Sequence, residues 1–224
     1  MVIKFYDEKN IIRIIQSGLV NYETYLLNKS FLYVYYDTLK KDYDFIELIF
    51  KKEHFKHLCG ISNNPKDVFI YENAGIHKEV LSPIKFYDIC KAKRLGYKHI
   101  IIKKDSSTIQ KMNILNNLHL LTQNETIYCN ILGVHNILRC DGMIGLSKGN
   151  ISLALRNLNG YSIPLSSLDF DITDSGENLF EVYLVASKKI NEKKYSCINL
   201  QKIDIEKLPY GIKELLNIKD NVHC

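Results

Sequence analysis

Two histidines, His54 and His57, stand three residues apart in the stretch EHFKHLCGI (residues 53–61), among Lys51, Lys52 and Lys56. Histidine titrates near neutral pH, so this pair suits general acid–base work. At that spacing the two rings share one face of a helix. A plainer reading makes one a satisfied core histidine and the other a partly exposed polar residue. A metal site would need more ligands. Glu53, Cys59 and His77 are nearby, but neither an HExxH nor a paired CxxC spacing is present. No metal and no cofactor is therefore expected.

A second stretch is YSIPLSSLDFDI (residues 161–172). Pro164 ends a strand, and Ser166 and Ser167 follow it. Hydroxyls near a strand end suit a phosphate; they suit equally a turn or a helix cap. No GxSxG elbow is present, so a serine hydrolase is unsupported. A third is VASKKINEKKYSCI (residues 185–198), which reads as a hairpin with Lys188 and Lys189 entering the turn and Lys194 and Tyr195 leaving it. A lysine-rich turn is ordinarily a solvated one. A lysine facing a tyrosine can also hold a phosphate and stack a base. GMIGLSKG lacks the spacing of a phosphate-binding loop and lies among strands.

The elements that must position these residues follow from periodicity. DEKNIIRIIQSGLVNYETYLL carries apolar residues at helical spacing. FLYVYY and DFIELIF are β-rich runs around a polar turn, a hairpin pattern. KEHFKHLCGI is a short helix ending at Gly60. NNPKDVFIYENAGIHK reads as a loop. Ser82 and Pro83 open a helix that runs toward Gly96. HIIIKK reads as a strand, and SSTIQKMNILNNLHLLT as a helix capped by Ser106 or Ser107. From about residue 125 short strands alternate with turn signals, and LPYGIKELLNIKDNVHC can add a last helix.

Helices early and strands late predict an α+β fold: an antiparallel β-sheet core packed against the N-terminal and central helices. No linker breaks the chain, so residues 1–224 are expected to form one domain. The net charge of +5 is compatible with a polyanionic partner. Six widely and irregularly spaced cysteines suggest reduced thiols. The acidic residues near the start and the lack of a long apolar run predict a cytoplasmic protein with no membrane partner.

The order of these features resembles a known family. YDFIELIFKKEHFKHLCGI is similar to the strand–helix opening of the phage-associated Barnase/EndoU/colicin/RelE-like (PBECR) nucleases, fourth type, with Phe55, His57, Leu58 and Gly60 on its signature and Cys59 as a small departure. FYDICKAKRL and DSSTIQKMNILNNL resemble its next helices, with Lys111 at the family's lysine position. Pro164 to Leu168 resemble its P-x-S-L strand end, and EVYLVASKKINEKKYSCI its closing hairpin. The likeness runs over roughly residues 30–200, leaving an N-terminal helix and a C-terminal tail outside this core.

The resemblance implies a barnase/RelE-like fold and a role in conflict between phages, plasmids and bacteria, as a toxin or host-takeover factor. The mechanism expected is metal-independent endoribonuclease cleavage through 2′-hydroxyl attack. His57 would be the base or acid, Lys188 or Lys189 would steady the phosphorane, and Ser166 or Ser167 would contact the phosphate. Tyr195 would stack a base or hydrogen-bond the phosphate. Lys56, Lys111, Ser167, Lys189 and Lys194 are the expected RNA-binding set. The partner would be RNA, with tRNA and ribosome-bound mRNA as candidates, together with an antitoxin or a host defence protein. The alternative is a non-catalytic phage-encoded binding protein that inhibits a host defence complex. On this reading His57 faces a cleft formed by the C-terminal hairpins, and His54 is its exposed neighbour.

Overall fold

A computed structural model describes residues 8–64, 77–103, 105–131, 140–176, 178–217 and 222–223. The stretch read as a loop at 63–78 lies largely outside the described residues. In chain order the elements are α1 (Glu8–Asn21), β1 (Lys29–Asp37), β2 (Asp42–Ile49), α2 (His54–Cys59), α3 (Pro83–Lys91) and α4 (Ser107–Ile114). There follow β3 (Ile127–Asn130), β4 (Gly142–Leu146), β5 (Ser152–Leu158), β6 (Tyr161–Leu168), β7 (Leu179–Lys189), β8 (Cys197–Gln201), α5 (Tyr210–Leu215) and β9 (Val222–His223).

Seven of these strands close on themselves. β1 pairs antiparallel with β2 on one side and with β7 on the other. From β7 the antiparallel order continues through β3, β4, β5 and β6. β6 then meets β2 in parallel at a single pair, Leu48 and Ser162. The result is a closed, mixed seven-stranded barrel, with β8 and the two-residue β9 continuing outward from β7. This corrects the expected antiparallel sheet packed on helices in the barnase/RelE-like manner. Most strands lie where periodicity placed them, but β6 runs from Tyr161 to Leu168, so Pro164, Ser166 and Ser167 lie within the strand and not past its end. What periodicity does not carry is closure, which depends on β1 pairing with β7 and on one β2–β6 contact between strands distant in sequence.

The burial of β1 shows why it can be central. Phe31, Tyr33 and Tyr35 face the interior, in one continuous apolar cluster with Phe55, Leu58 and Cys59 of α2. Leu32 and Val34 face outward into a second cluster with Leu184, Ala186, Tyr195 and Ile212. A strand covered on both faces reads as a continuous apolar run. Each fully buried large side chain of this kind stabilises the fold by about 1.5–3 kcal/mol.

HIIIKK also departs from expectation. Ile100, Ile101 and Ile102 are buried but belong to no strand. Ile101 offers its carbonyl to Ser62 N–H. Three apolar residues in a row report burial, which a connecting segment can satisfy as well as a strand. Four thiols, Cys59, Cys90, Cys129 and Cys140, are free and buried. Cys197 is disulfide-bonded, so the expectation of reduced cysteines fails there.

Candidate active site

α2 is short because its sequence stops it at both ends. His54 Nδ1 accepts the Lys51 N–H at 3.1 Å, which fixes the first turn. Gly60 takes the left-handed conformation (φ +69°) and returns its N–H to His57 O at 3.0 Å. Phe55, Leu58 and Cys59 bury one side in the barrel cluster, and Lys56 is buried on another. His57 is the one exposed side chain of α2.

The two histidines therefore divide differently from expectation. His54, predicted to be exposed, is 7% exposed and structural. Burial pushes its pKa down to about 4. His57 also lies below the usual histidine value, through partial burial first and then the charges of Lys111, Lys56 and Lys103. An exposed imidazole with a depressed pKa is neutral at pH 7, the form that accepts a proton.

Lys111 comes to this place on α4. It is 7% exposed, and its Nζ donates to His57 O at 3.0 Å. Burial, with help from Lys103, pushes its pKa down to about 8, against opposing effects of Cys59 and Asp105. Gly60 makes room for it. A Cβ there would lie 2.6 Å from Lys111 Cδ. α4 starts differently from expectation as well. Ser106 is left-handed (φ +63°) and makes no side-chain cap, while Asp105 Oδ1 accepts Ser107 N–H at 2.9 Å.

The remaining expected site residues fall into other places. Lys56 Nζ is turned inward, to Leu81 O at 2.6 Å and to Asn63 Oδ1. Ser167 is fully buried and donates to Leu58 O at 2.8 Å. Ser166 pairs with Ala154 while Ser167 pairs with Leu153. Opposed residues share a face and neighbours alternate, so Ser166 points away from α2.

Lys188 and Tyr195 form a separate group. Lys188 Nζ lies 4.3 Å from the centre of the Tyr195 ring and 3.7 Å from Glu47 Oε1. Ser30 Oγ donates to Glu47 Oε1 at 2.8 Å and sits 2.9 Å from Tyr195 OH. Ser30 is on the face of β1 that carries Leu32 and Val34, opposite the face that meets α2. Lys189, the last residue of β7, and Lys194, in the β7–β8 turn, are exposed.

His57 and Lys111 are thus brought together with Ser167 behind them, and Ser166, Lys188 and Tyr195 are not. Lys103 was missed because HIIIKK reads as a strand with a solvated end. Thr108, which links Lys103 to Gly60, carried no sequence signal. Among the described residues no group of three His, Cys, Asp or Glu side chains is placed to hold a metal ion. No helix among them is long and apolar enough to cross a membrane.

A family model described as phage-Barnase-EndoU-ColicinE5/D-RelE like nuclease4 matches residues 14–204. Neither the curated proteins nor the solved structures contain a match.

Proposed function

This chain belongs to the phage-Barnase-EndoU-ColicinE5/D-RelE like nuclease4 family, and from that premise we propose that it is a metal-independent endoribonuclease whose reacting base is His57. The observation that carries the proposal is the exposed His57 ring, whose pKa is lowered by partial burial and by the nearby charges of Lys111, Lys56 and Lys103.

Neutral His57 takes the proton of a ribose 2′-hydroxyl. The 2′-oxygen then attacks the adjacent phosphorus, the bond to the 5′-oxygen breaks, and a 2′,3′-cyclic phosphate is left. Lys103 and Lys111 balance the extra charge on the phosphoryl oxygens. Lys111, with a pKa of about 8, supplies the proton taken by the leaving oxygen. Lys189 and Lys194 bind RNA backbone away from the reacting phosphate. Ser166, Lys188 and Tyr195 stand outside the reacting group. The substrate is RNA because DNA has no 2′-hydroxyl. The biological setting is phage or mobile-element conflict in the cytoplasm, with tRNA or ribosome-bound mRNA as target and an antitoxin or host defence protein as partner.

The test is cleavage of labelled RNA by purified protein in EDTA, beside His57→Ala. Loss of an acid–base group lowers the rate by about 10²–10⁴-fold. Wild-type cleavage by His57→Ala would sink the proposal.

A second reading, a non-catalytic protein that binds and inhibits a host defence complex, is favoured by one observation. Ser166, Lys188 and Tyr195 do not meet His57 on one face. On that reading His57→Ala keeps full biological effect and neither protein cleaves RNA, with or without ribosomes.

A further inference from the structure

The last carbonyls of a helix lack intrahelical partners and carry partial negative charge. That is a poor neighbour for a phosphate, yet His57 sits on the last turn of α2. Here three of the carbonyls at this end have a donor from another element. Lys111 Nζ takes His57 O, Ser167 Oγ takes Leu58 O, and Thr108 Oγ1 donates to Gly60 O at 2.7 Å. Thr108 and Ser167 are fully buried. The end of α2 is therefore held from α4 and β6, with the Lys111 ammonium against its negative end.

Thr108 makes a second bond. Its Oγ1 accepts the Lys103 N–H at 3.0 Å. One hydroxyl joins the end of the helix bearing His57 to the backbone of Lys103. From this geometry, and resting on His57 as the reacting base, we propose that Thr108 is a positioning residue that sets the separation between the His57 imidazole and the Lys103 ammonium. Its hydroxyl is buried and engaged on both sides, so it acts through those two residues and not on the RNA. Gly60 belongs to the same arrangement, because a Cβ there would lie 3.2 Å from Thr108 Cα.

The charged and titratable groups acting on His57 or its lysines are Lys56, Lys103 and Lys111, His54 and Cys59 on the same helix, and Asp105 beside Lys111. Of these, Thr108 binds only the backbone of Lys103 directly. Displacing Lys103 removes one cation from the imidazole and raises its proton affinity.

The test compares wild type, Thr108→Val, Thr108→Ser and Lys103→Ala. Two quantities are read: the midpoint of the His57 ring titration by NMR, and the kinetics of RNA cleavage. Thr108→Val has the same shape and makes neither bond. It is expected to raise the midpoint toward the ordinary histidine value and to lower kcat on the order of tenfold to a hundredfold, with KM little changed. Thr108→Ser restores both. Lys103→Ala, which keeps the backbone bond, raises the midpoint by itself and serves if Thr108→Val does not fold. An unchanged midpoint in folded Thr108→Val, or in Lys103→Ala, overturns the inference. If wild type cleaves no RNA, the assignment of His57 as base fails, and the ring titrations still decide whether Thr108 positions it.

Discussion

Replacing Lys111 by methionine separates a functional lysine from a structural one. A structural residue loses stability when removed. Lys111 is a buried cation whose pKa falls from 10.5 to about 8, largely through burial. At ~1.4 kcal/mol per pKa unit, keeping it charged costs the fold ~3 kcal/mol. Because the folded-state pKa is the lower one, this cost is fully present below pH 8 and disappears above pH 10.5. Methionine has a similar length and no charge, so it recovers that energy. Against this stands the lost charge-assisted bond to His57 O, worth roughly 1.5–3 kcal/mol. The net change at pH 7 is therefore a gain of about 0–2 kcal/mol, while cleavage falls at least about 100-fold. Urea denaturation at pH 7 and pH 9.5 reads the first quantity. Wild type should gain stability between those two pH values through this group, and Lys111→Met should not. A loss of more than about 2 kcal/mol on substitution would instead make Lys111 a pillar of the fold.

Three further outcomes are expected. The rate of RNA cleavage should rise as His57 loses its proton, with a midpoint below 6.5, and fall as Lys111 deprotonates near about 8; a rate that keeps rising above pH 9 would remove Lys111 as the acid. His54, with a pKa of about 4 folded against 6.5 for an unperturbed histidine, binds fewer protons folded than unfolded between those values, so its contribution is intact above pH 6.5. That contribution, ~3 kcal/mol, is lost as pH falls toward 4; His54→Asn should show less acid loss in denaturant titrations than wild type, and equal loss would contradict this. Tyr33 is fully buried and its hydroxyl has no hydrogen-bond partner among the described residues, so Tyr33→Phe should raise stability by about 1 kcal/mol, read as a higher denaturation midpoint.

The parts of this molecule visible in its sequence are those set by local rules. Ser82 caps α3 through the Lys85 N–H, and Gly60 ends α2 in the left-handed conformation, as residue types alone imply. β1, β2 and most late strands follow from aromatic and β-branched content, although β6 continues past Pro164 to Leu168. The order of short motifs, Phe55 to Gly60 foremost, was enough to point to the nuclease family that matches residues 14–204. Features set by distant contacts were hidden. Barrel closure turns on the single Leu48–Ser162 pair. Burial of His54 and exposure of His57 depend on which side of a six-residue helix meets the barrel, and a spacing of three cannot choose. The separation of Lys188 from His57 arises because β1 lies between two apolar clusters. Lys103 reaches the site only because the Ile100–Ile102 run is a buried connection and not a strand.

The measurement closest to the central claim uses one RNA oligonucleotide and its copy with a single 2′-deoxy sugar at the cleaved position, each incubated in EDTA with wild type and with His57→Ala. Wild type should cut only the all-ribose strand and leave a 2′,3′-cyclic phosphate, and His57→Ala should be slower by about 10²–10⁴-fold. Cleavage of the 2′-deoxy strand at the same position, or undiminished cutting by His57→Ala, would contradict it.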